Sequence, residues 1–141
     1  MRRGFTLPEL LSVMAMLGVL ASIVTPPLGR VLDQAAVREG VDRFAALYST
    51  TRQLAMSRGA LARLELDRGR RAGTLSVQSD AHAWDTVATY PLGTAAFTCS
   101  TCTLVFNPLG VGYGTSNSRV VFSRGRAADT VTTSRTGRLK R

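Results

Sequence analysis

Histidine is almost missing from this chain: His82 is the only one in 141 residues. A His-dependent triad would have to be built around it, and it lies in a polar turn, so no catalytic constellation is found. Cysteine is as scarce, with only Cys99 and Cys102. Two cysteines exclude a disulfide-stapled mini-protein, and a zinc site would need two further ligands. No glycine-rich loop leads into a helix, which argues against a nucleotide site. Carboxylates are few, 9 against 18 basic residues, and 17 of those 18 are arginine, giving a formal net charge of +9. The carboxylates on one strand, Glu65 and Asp67, are flanked by arginines and read as surface ion pairs of little energetic weight. The chain therefore reads as a non-enzyme, with no cofactor and no metal. A second long apolar run is also lacking, which excludes a multi-span membrane protein. An apolar fraction of 45% is too high for long disorder. The length fits one domain of the usual size, roughly 100–200 residues.

One apolar run is present. Leu10 to Gly29 holds 20 residues without a charge, about the length that crosses a bilayer core of about 30 Å. Arg2 and Arg3 precede it, whereas beyond it Arg30, Arg38 and Arg43 are balanced by Asp33, Glu39 and Asp42. The positive-inside rule then puts the N-terminus in the cytoplasm and the C-terminal domain outside. A cleaved secretory signal fits poorly, because Ala21-Ser22-Ile23 is a poor small-x-small site and Pro26-Pro27 sits beside it. A plain signal anchor is a second reading. A third turns on Glu9. A charge at bilayer depth costs a few kcal/mol and marks function by default. By position alone, Glu9 is equally compatible with an interfacial carboxylate in a first helical turn, favoured by the helix dipole.

Gly4-Phe5-Thr6-Leu7-Pro8-Glu9-Leu10-Leu11 resembles the N-terminus of type IV pilin-like proteins. The resemblance implies cleavage between Gly4 and Phe5 by a prepilin peptidase on the cytoplasmic face, followed by N-methylation of Phe5. Pro8 departs from the Ile or Val common in that family. Glu9 matches the family's acidic anchor residue, which implies pairing with the terminal amine of a neighbouring subunit. A buried carboxylate is tolerable when so paired, and one polar site can set the register of apolar helices.

Downstream, Val31, Ala35, Val41, Phe44, Ala45, Leu47, Tyr48, Leu54 and Ala55 recur at mostly helical spacings, predicting an amphipathic helix. Pro26-Pro27 is expected to kink or unwind it between Thr25 and Leu28, and Arg58-Gly59 to end it with a left-handed cap. The period then changes to that of strands, expected at 61–67, 74–79, 84–90, 103–106, 119–123 and 130–135, with a loose loop over Gly110–Ser118. The fold class is thus α+β: a long N-terminal transmembrane and amphipathic helix packed on an antiparallel β-sheet. Residues 1–4 form a leader, 5–29 the transmembrane and assembly helix, 30–58 the amphipathic helix and 59–141 a β-rich periplasmic domain.

Three later stretches resemble the GspH/FimT group of minor pilin-like proteins: Arg52–Gly59, Phe106-Asn107-Pro108-Leu109-Gly110, and the ending from Val131 to Gly137-Arg138. The resemblance implies other pilins or pseudopilins as partners, together with the prepilin peptidase/N-methyltransferase and inner-membrane lipid. It also implies passage from a single-pass location in the bacterial inner membrane to a pilus or pseudopilus.

From Arg119 to Arg141 the net charge is +6 in 23 residues. Some DNA-uptake members of the group carry a terminal Gly-Arg-x-Arg motif, matched here by Gly137-Arg138-Leu139-Lys140. Arg135, Gly137, Arg138, Lys140 and Arg141 are accordingly candidate DNA-binding residues, although Lys140 lacks the two-pronged phosphate contact of arginine. No aromatics interleave with these cations, which points to phosphate rather than base contacts. A basic terminus can equally be solvated or meet acidic partner subunits. The cations Arg63, Arg68, Arg70 and Arg71 of the first hairpin, diluted by Glu65 and Asp67, read as a solvated face. Cys99-Ser100-Thr101-Cys102 lacks the helix start of a redox motif, and outside the cytoplasm a local Cys99–Cys102 disulfide is favoured. Three functions follow: a type IV pilus minor pilin contributing to DNA binding and uptake, a type II secretion pseudopilin, or a membrane-anchored binding protein that never assembles.

Overall fold

A computed structural model describes residues 6–79, 81–114 and 117–141, apart from the side chains of residues 23–27. Gly4 and Phe5 lie outside the described residues. Helix α1 spans Leu7–Arg58. Thr6 caps it: its carbonyl accepts from the Leu10 amide at 3.2 Å, and the Glu9 carboxylate reaches back to the Thr6 amide and hydroxyl, each at 3.4 Å. Thr6-Leu7-Pro8-Glu9 has the residues of a capping box but forms only a long version of its Glu9 half, and Pro8 sits in the first turn, where a missing N–H costs no helical bond.

The interruption expected at Pro26-Pro27 is not found, since the backbone is helical throughout residues 7–58. Proline removes one donor each time but leaves the flanking helical bonds in place. At the C-terminal end Gly59 takes φ +61°, and the Ala60 amide donates to the Ala55 carbonyl at 3.3 Å. This is the long return bond of a Schellman cap.

The chain forms two compact units, Met1–Leu32 and Asp33–Arg141. In the first, the described apolar side chains from Leu7 to Leu20 are exposed, as are Leu28, Val31 and Leu32. No helix among the described residues is long and apolar enough to cross a membrane. The charge-free run of the sequence passes through residues 23–27, whose side chains are outside that description.

The second unit contains nine strands among its described residues: β1 (Ala62–Asp67), β2 (Ala72–Gln78), β3 (Trp84–Pro91), β4 (Ala96–Cys99), β5 (Thr103–Phe106), β6 (Gly112–Tyr113), β7 (Ser118–Arg124), β8 (Ala127–Thr133) and β9 (Leu139–Lys140). They make a five-stranded sheet, ordered β3-β2-β1-β5-β6, and a four-stranded sheet, ordered β4-β7-β8-β9. Every pairing is antiparallel. Strands β4, β6 and β9 were not expected from the sequence. Two of them have two residues each, too few to show a period.

Alternation decides which side chains enter the core. On β1, Ala62, Leu64 and Leu66 are buried while Arg63 and Glu65 are half-buried. From α1, Phe44 and Tyr48 reach both sheets. The Tyr48 ring meets Phe106 of β5 edge-on at 4.9 Å, and Phe44 lies 6.2 Å from Phe122 of β7. Such aromatic pairs add about 0.5–1.5 kcal/mol beyond their burial. Three arginines then hold the end of β3 and the segment that leads from it to β4. Arg43 donates to the Pro91 carbonyl at 3.1 Å, Arg71 to the Thr94 carbonyl at 2.6 Å, and Arg124 to the Thr94 hydroxyl at 2.7 Å.

Candidate functional site

The basic residues divide into those used to hold the fold and those left outward. Beyond the three at the β3–β4 segment, Arg63 pairs with Glu65 at 3.1 Å and lies over the Trp84 ring at 4.4 Å. Arg70 pairs with Asp67 at 3.8 Å, and Arg124, already bonded to Thr94, also pairs with Asp33 at 3.2 Å. The first-hairpin cations are therefore largely engaged at home, and Glu65 and Asp67 serve as their ion-pair partners.

The C-terminal stretch is a tight hairpin closing the four-stranded sheet. Lys140 pairs with Thr132 and Leu139 with Thr133. Between β8 and β9 the Ser134 amide donates to the Arg138 carbonyl at 2.9 Å, and the Gly137 amide to the Ser134 carbonyl at 3.0 Å. Gly137 has φ +76°, and a Cβ there would lie 3.1 Å from the Gly110 carbonyl and 3.2 Å from the Arg52 guanidinium. Gly110 has φ +72°, and its own added Cβ would be 3.0 Å from Arg52 Nε and 2.8 Å from Met56 Sδ. The guanidinium of Arg52 therefore fits between two loops at points where each loop has no side chain. The three stretches that resemble the GspH/FimT group meet here: the end of α1, the Asn107–Gly110 turn, and the Gly137-Arg138 turn. Asn107 builds its turn by accepting with Oδ1 from the amides of Leu109 at 3.1 Å and Val111 at 2.9 Å.

Tyr48 lies under the same loops, its hydroxyl donating weakly to the Ser134 carbonyl at 3.4 Å. Burial pushes its pKa up, and the charge of Arg52 partly offsets the shift.

The five candidate DNA-binding residues are close in sequence but do not share one role. Gly137 shapes the turn. Arg135, Arg138 and Lys140 are exposed. Arg141 points the other way, donating to Asp129 at 3.0 Å and to Asp42 of α1 at 3.1 Å. Its pKa is raised, first by the hydrogen bond to Asp129, against an opposing effect of burial, and further by the charges of Asp42 and Asp129 and the hydrogen bond to Asp42. Two carboxylates already neutralise this cation.

Structure adds an aromatic to the basic turn that spacing alone did not reveal. The Gly112 amide donates to the Arg135 carbonyl at 2.8 Å, bringing the neighbouring Tyr113 beside it. Tyr113 is 60% exposed and Leu109 is 77% exposed, with Val111 and Met56 exposed in the same neighbourhood. Exposed apolar groups clustered beside cations mark a contact surface more than scattered single ones do. Elsewhere, Cys99 and Cys102 form a disulfide and pack against the core. His82 sits in the turn before β3 with φ +60°. No group of three or more His, Cys, Asp or Glu among the described residues could hold a metal ion.

Residues 1–25 match the prokaryotic N-terminal methylation motif. No curated protein matches the chain in sequence. Its fold is similar to that of the type IV minor pilin FimU of Pseudomonas aeruginosa strain PAO1, with a TM-score of 0.60 at 12% identity over 74% of this chain and 86% of that one. It is equally similar to the minor pseudopilin EpsH of the type 2 secretion system of Vibrio cholerae, with a TM-score of 0.61 at 12% identity over 74% of this chain and 94% of that one. All three share a long N-terminal helix followed by an antiparallel β domain, the α+β class expected from the sequence.

Proposed function

We propose that the chain is a minor structural subunit, not an enzyme, of a pilus-type filament. It is made as a single-pass inner-membrane precursor with its β domain in the periplasm, and it is processed at Gly4–Phe5. The observation that carries this is the joining of an N-terminal methylation motif to a helix whose apolar side chains stay exposed. Lipid first, and neighbouring subunits later, would cover such a surface. Glu9 needs a second role in this setting. Its 3.4 Å contacts to Thr6 are long for hydrogen bonds, so the carboxylate is available to the methylated amine of the next subunit.

The test is co-expression with a prepilin peptidase, read by intact mass. The expected product has lost residues 1–4 and gained one methyl group on Phe5. A Glu9→Val variant should be cleaved normally yet be missing from sheared filaments. An uncleaved leader would sink the assembly reading and leave a membrane-anchored protein that does not assemble, whereas a Glu9→Val chain still found in filaments would overturn the role given to Glu9.

Between the two assembled systems we favour a type IV pilus whose subunit binds DNA. Arg135, Arg138 and Lys140 support this, being exposed at one sheet end and free of ion pairs among the described residues. Binding would be to phosphates and steeply salt-dependent. The second reading, a type II secretion pseudopilin, is favoured by the apolar group Met56, Leu109, Val111 and Tyr113 beside the same cations, which suits a neighbouring protein subunit. Titrating duplex DNA against the full chain in neutral detergent, over a salt series, separates them. Arg138→Gln/Lys140→Gln should flatten the log–log salt slope by about 1.8, at roughly 0.9 per phosphate contact. Absence of binding by the unmodified chain at low salt would favour the pseudopilin.

A further inference from the structure

The four-stranded sheet has one face turned to the core and one turned outward. Phe97, Val120, Phe122, Val131 and Thr133 are buried on the inner face. Asp129 lies opposite Phe122 in the register and is therefore on that same inner side, where it holds Arg141. The outward positions are Ala96, Thr98, Arg119, Val121, Ser123, Ala128, Thr130, Thr132 and Lys140. Among the described residues of these strands, no carboxylate faces outward.

Register brings four of the outward groups into one line across the strands. Arg119 is opposite Thr132, and Thr132 is opposite Lys140. On the other side, Ser100 exchanges bonds with Arg119: its amide donates to the Arg119 carbonyl at 3.0 Å, and its hydroxyl accepts from the Arg119 amide at 3.0 Å. Ser100, Arg119, Thr132 and Lys140 are all exposed. A shallow groove of about 410 Å³ opens beside Ser100, Arg119 and Thr132 where β7 starts and β8 ends, lined also by Asn117, Ser118, Thr133 and Ser134.

We infer that this line is a phosphate-binding track that crosses the sheet and meets the basic hairpin at Lys140, with Arg119 at its centre. The chemistry selects the ligand. Arginine offers a bidentate fork to phosphate oxygens, hydroxyls of Ser and Thr donate to them, and no carboxylate opposes. Arg119 and Lys140 are two strand spacings apart, about 10 Å. A duplex presents a charge for every ~1.7 Å of its axis, so its backbone offers a separate phosphate to each of the two cations. The ligand that engages the whole row is an extended polyphosphate backbone, that of nucleic acid. This rests on the DNA-binding reading above and extends it from the terminal hairpin to β7.

The experiment is the same salt-series titration with full-length chain, duplex DNA and single substitutions. Arg119→Gln is expected to lower the salt slope by about 0.9, as Lys140→Gln does, and the double variant by about 1.8. Arg119→Lys should restore the slope while leaving affinity lower, since the charge returns without the fork. Arg126→Gln, in the turn at the other end of β7 and β8, should leave the slope unchanged. If Lys140→Gln lowers the slope and Arg119→Gln does not, the hairpin binds DNA without the sheet and the inference is overturned. If Arg126→Gln acts as strongly as Arg119→Gln, only net charge is being read, and the track fails. If the unmodified chain binds no DNA at low salt, the parent reading falls and the track with it.

Discussion

Arg141 and Asp42 stand 99 positions apart in the chain and 3.1 Å apart in space. The final residue is tied to the helix, with Asp129 as a second anchor at 3.0 Å. Arg141→Gln should therefore affect the fold more than any ligand. Both carboxylates are partly exposed, so the loss should be small, about 1 kcal/mol or less, and should shrink as salt is added. Denaturant midpoints at low and high ionic strength check this. In a DNA titration the same variant should keep its salt slope, whereas loss of a full unit of slope would show that Arg141 leaves its carboxylates for phosphate.

Gly137→Ala tests the meeting point of three loops. Alanine at φ +76° is strained by roughly 1–2 kcal/mol, and its methyl would press on the Gly110 carbonyl and on Arg52. The expected loss is about 1–3 kcal/mol, seen as a lower unfolding midpoint with DNA affinity reduced only through the displaced hairpin. An unchanged midpoint would mean that the turn relaxes freely and that Arg52 is not packed by it.

Much of this fold could be read from the sequence because burial imposes periods. Val41, Phe44 and Tyr48 recur at helical spacing and are all core. Leu64 and Leu66 alternate with Arg63 and Glu65 as a half-buried strand requires. Strands β6 and β9 were not legible for the opposite reason: two residues carry no period, and each exists only through its pairing with the preceding strand, Tyr113 with Val105 and Lys140 with Thr132. The candidate site was legible as charge but not as allegiance. Arg138 and Arg141 look alike in a list of cations. Alternation read from the sequence puts Arg138 and Lys140 on one face and Leu139 and Arg141 on the other, but only the fold brings Asp42 and Asp129 to Arg141 and makes it a structural ion pair. Arg119 carries no signal as a site residue in the sequence, because its row exists only through strand register.

The disulfide should matter modestly. Joining Cys99 to Cys102 closes a very short loop, for which the chain-entropy estimate is about 2 kcal/mol. Cys99→Ser/Cys102→Ser should lower the unfolding free energy by roughly that amount. The loop also carries Ser100, which bonds to the Arg119 backbone. Reduction should therefore weaken DNA binding more than Arg126→Gln does, even at temperatures where the chain remains folded. Equal binding before and after reduction would show that the row keeps its shape without the bridge.

Tyr48 sets a pH dependence at the alkaline end. Burial favours the neutral phenol, so its folded-state pKa is raised above the usual 10.0. Below that value both folded and unfolded chains hold the proton, and stability does not respond. As pH rises past it, the unfolded chain releases the proton while the folded chain retains it. Stability should then fall until the folded-state pKa is passed. Tyr48→Phe removes the titrating group and should flatten this alkaline loss. It leaves neutral-pH stability nearly unchanged, since the 3.4 Å bond to the Ser134 carbonyl is weak. Urea midpoints measured from neutral to strongly alkaline pH for both chains would decide it, with Tyr48→Phe losing stability as steeply as the parent being the result that assigns the alkaline transition to other groups.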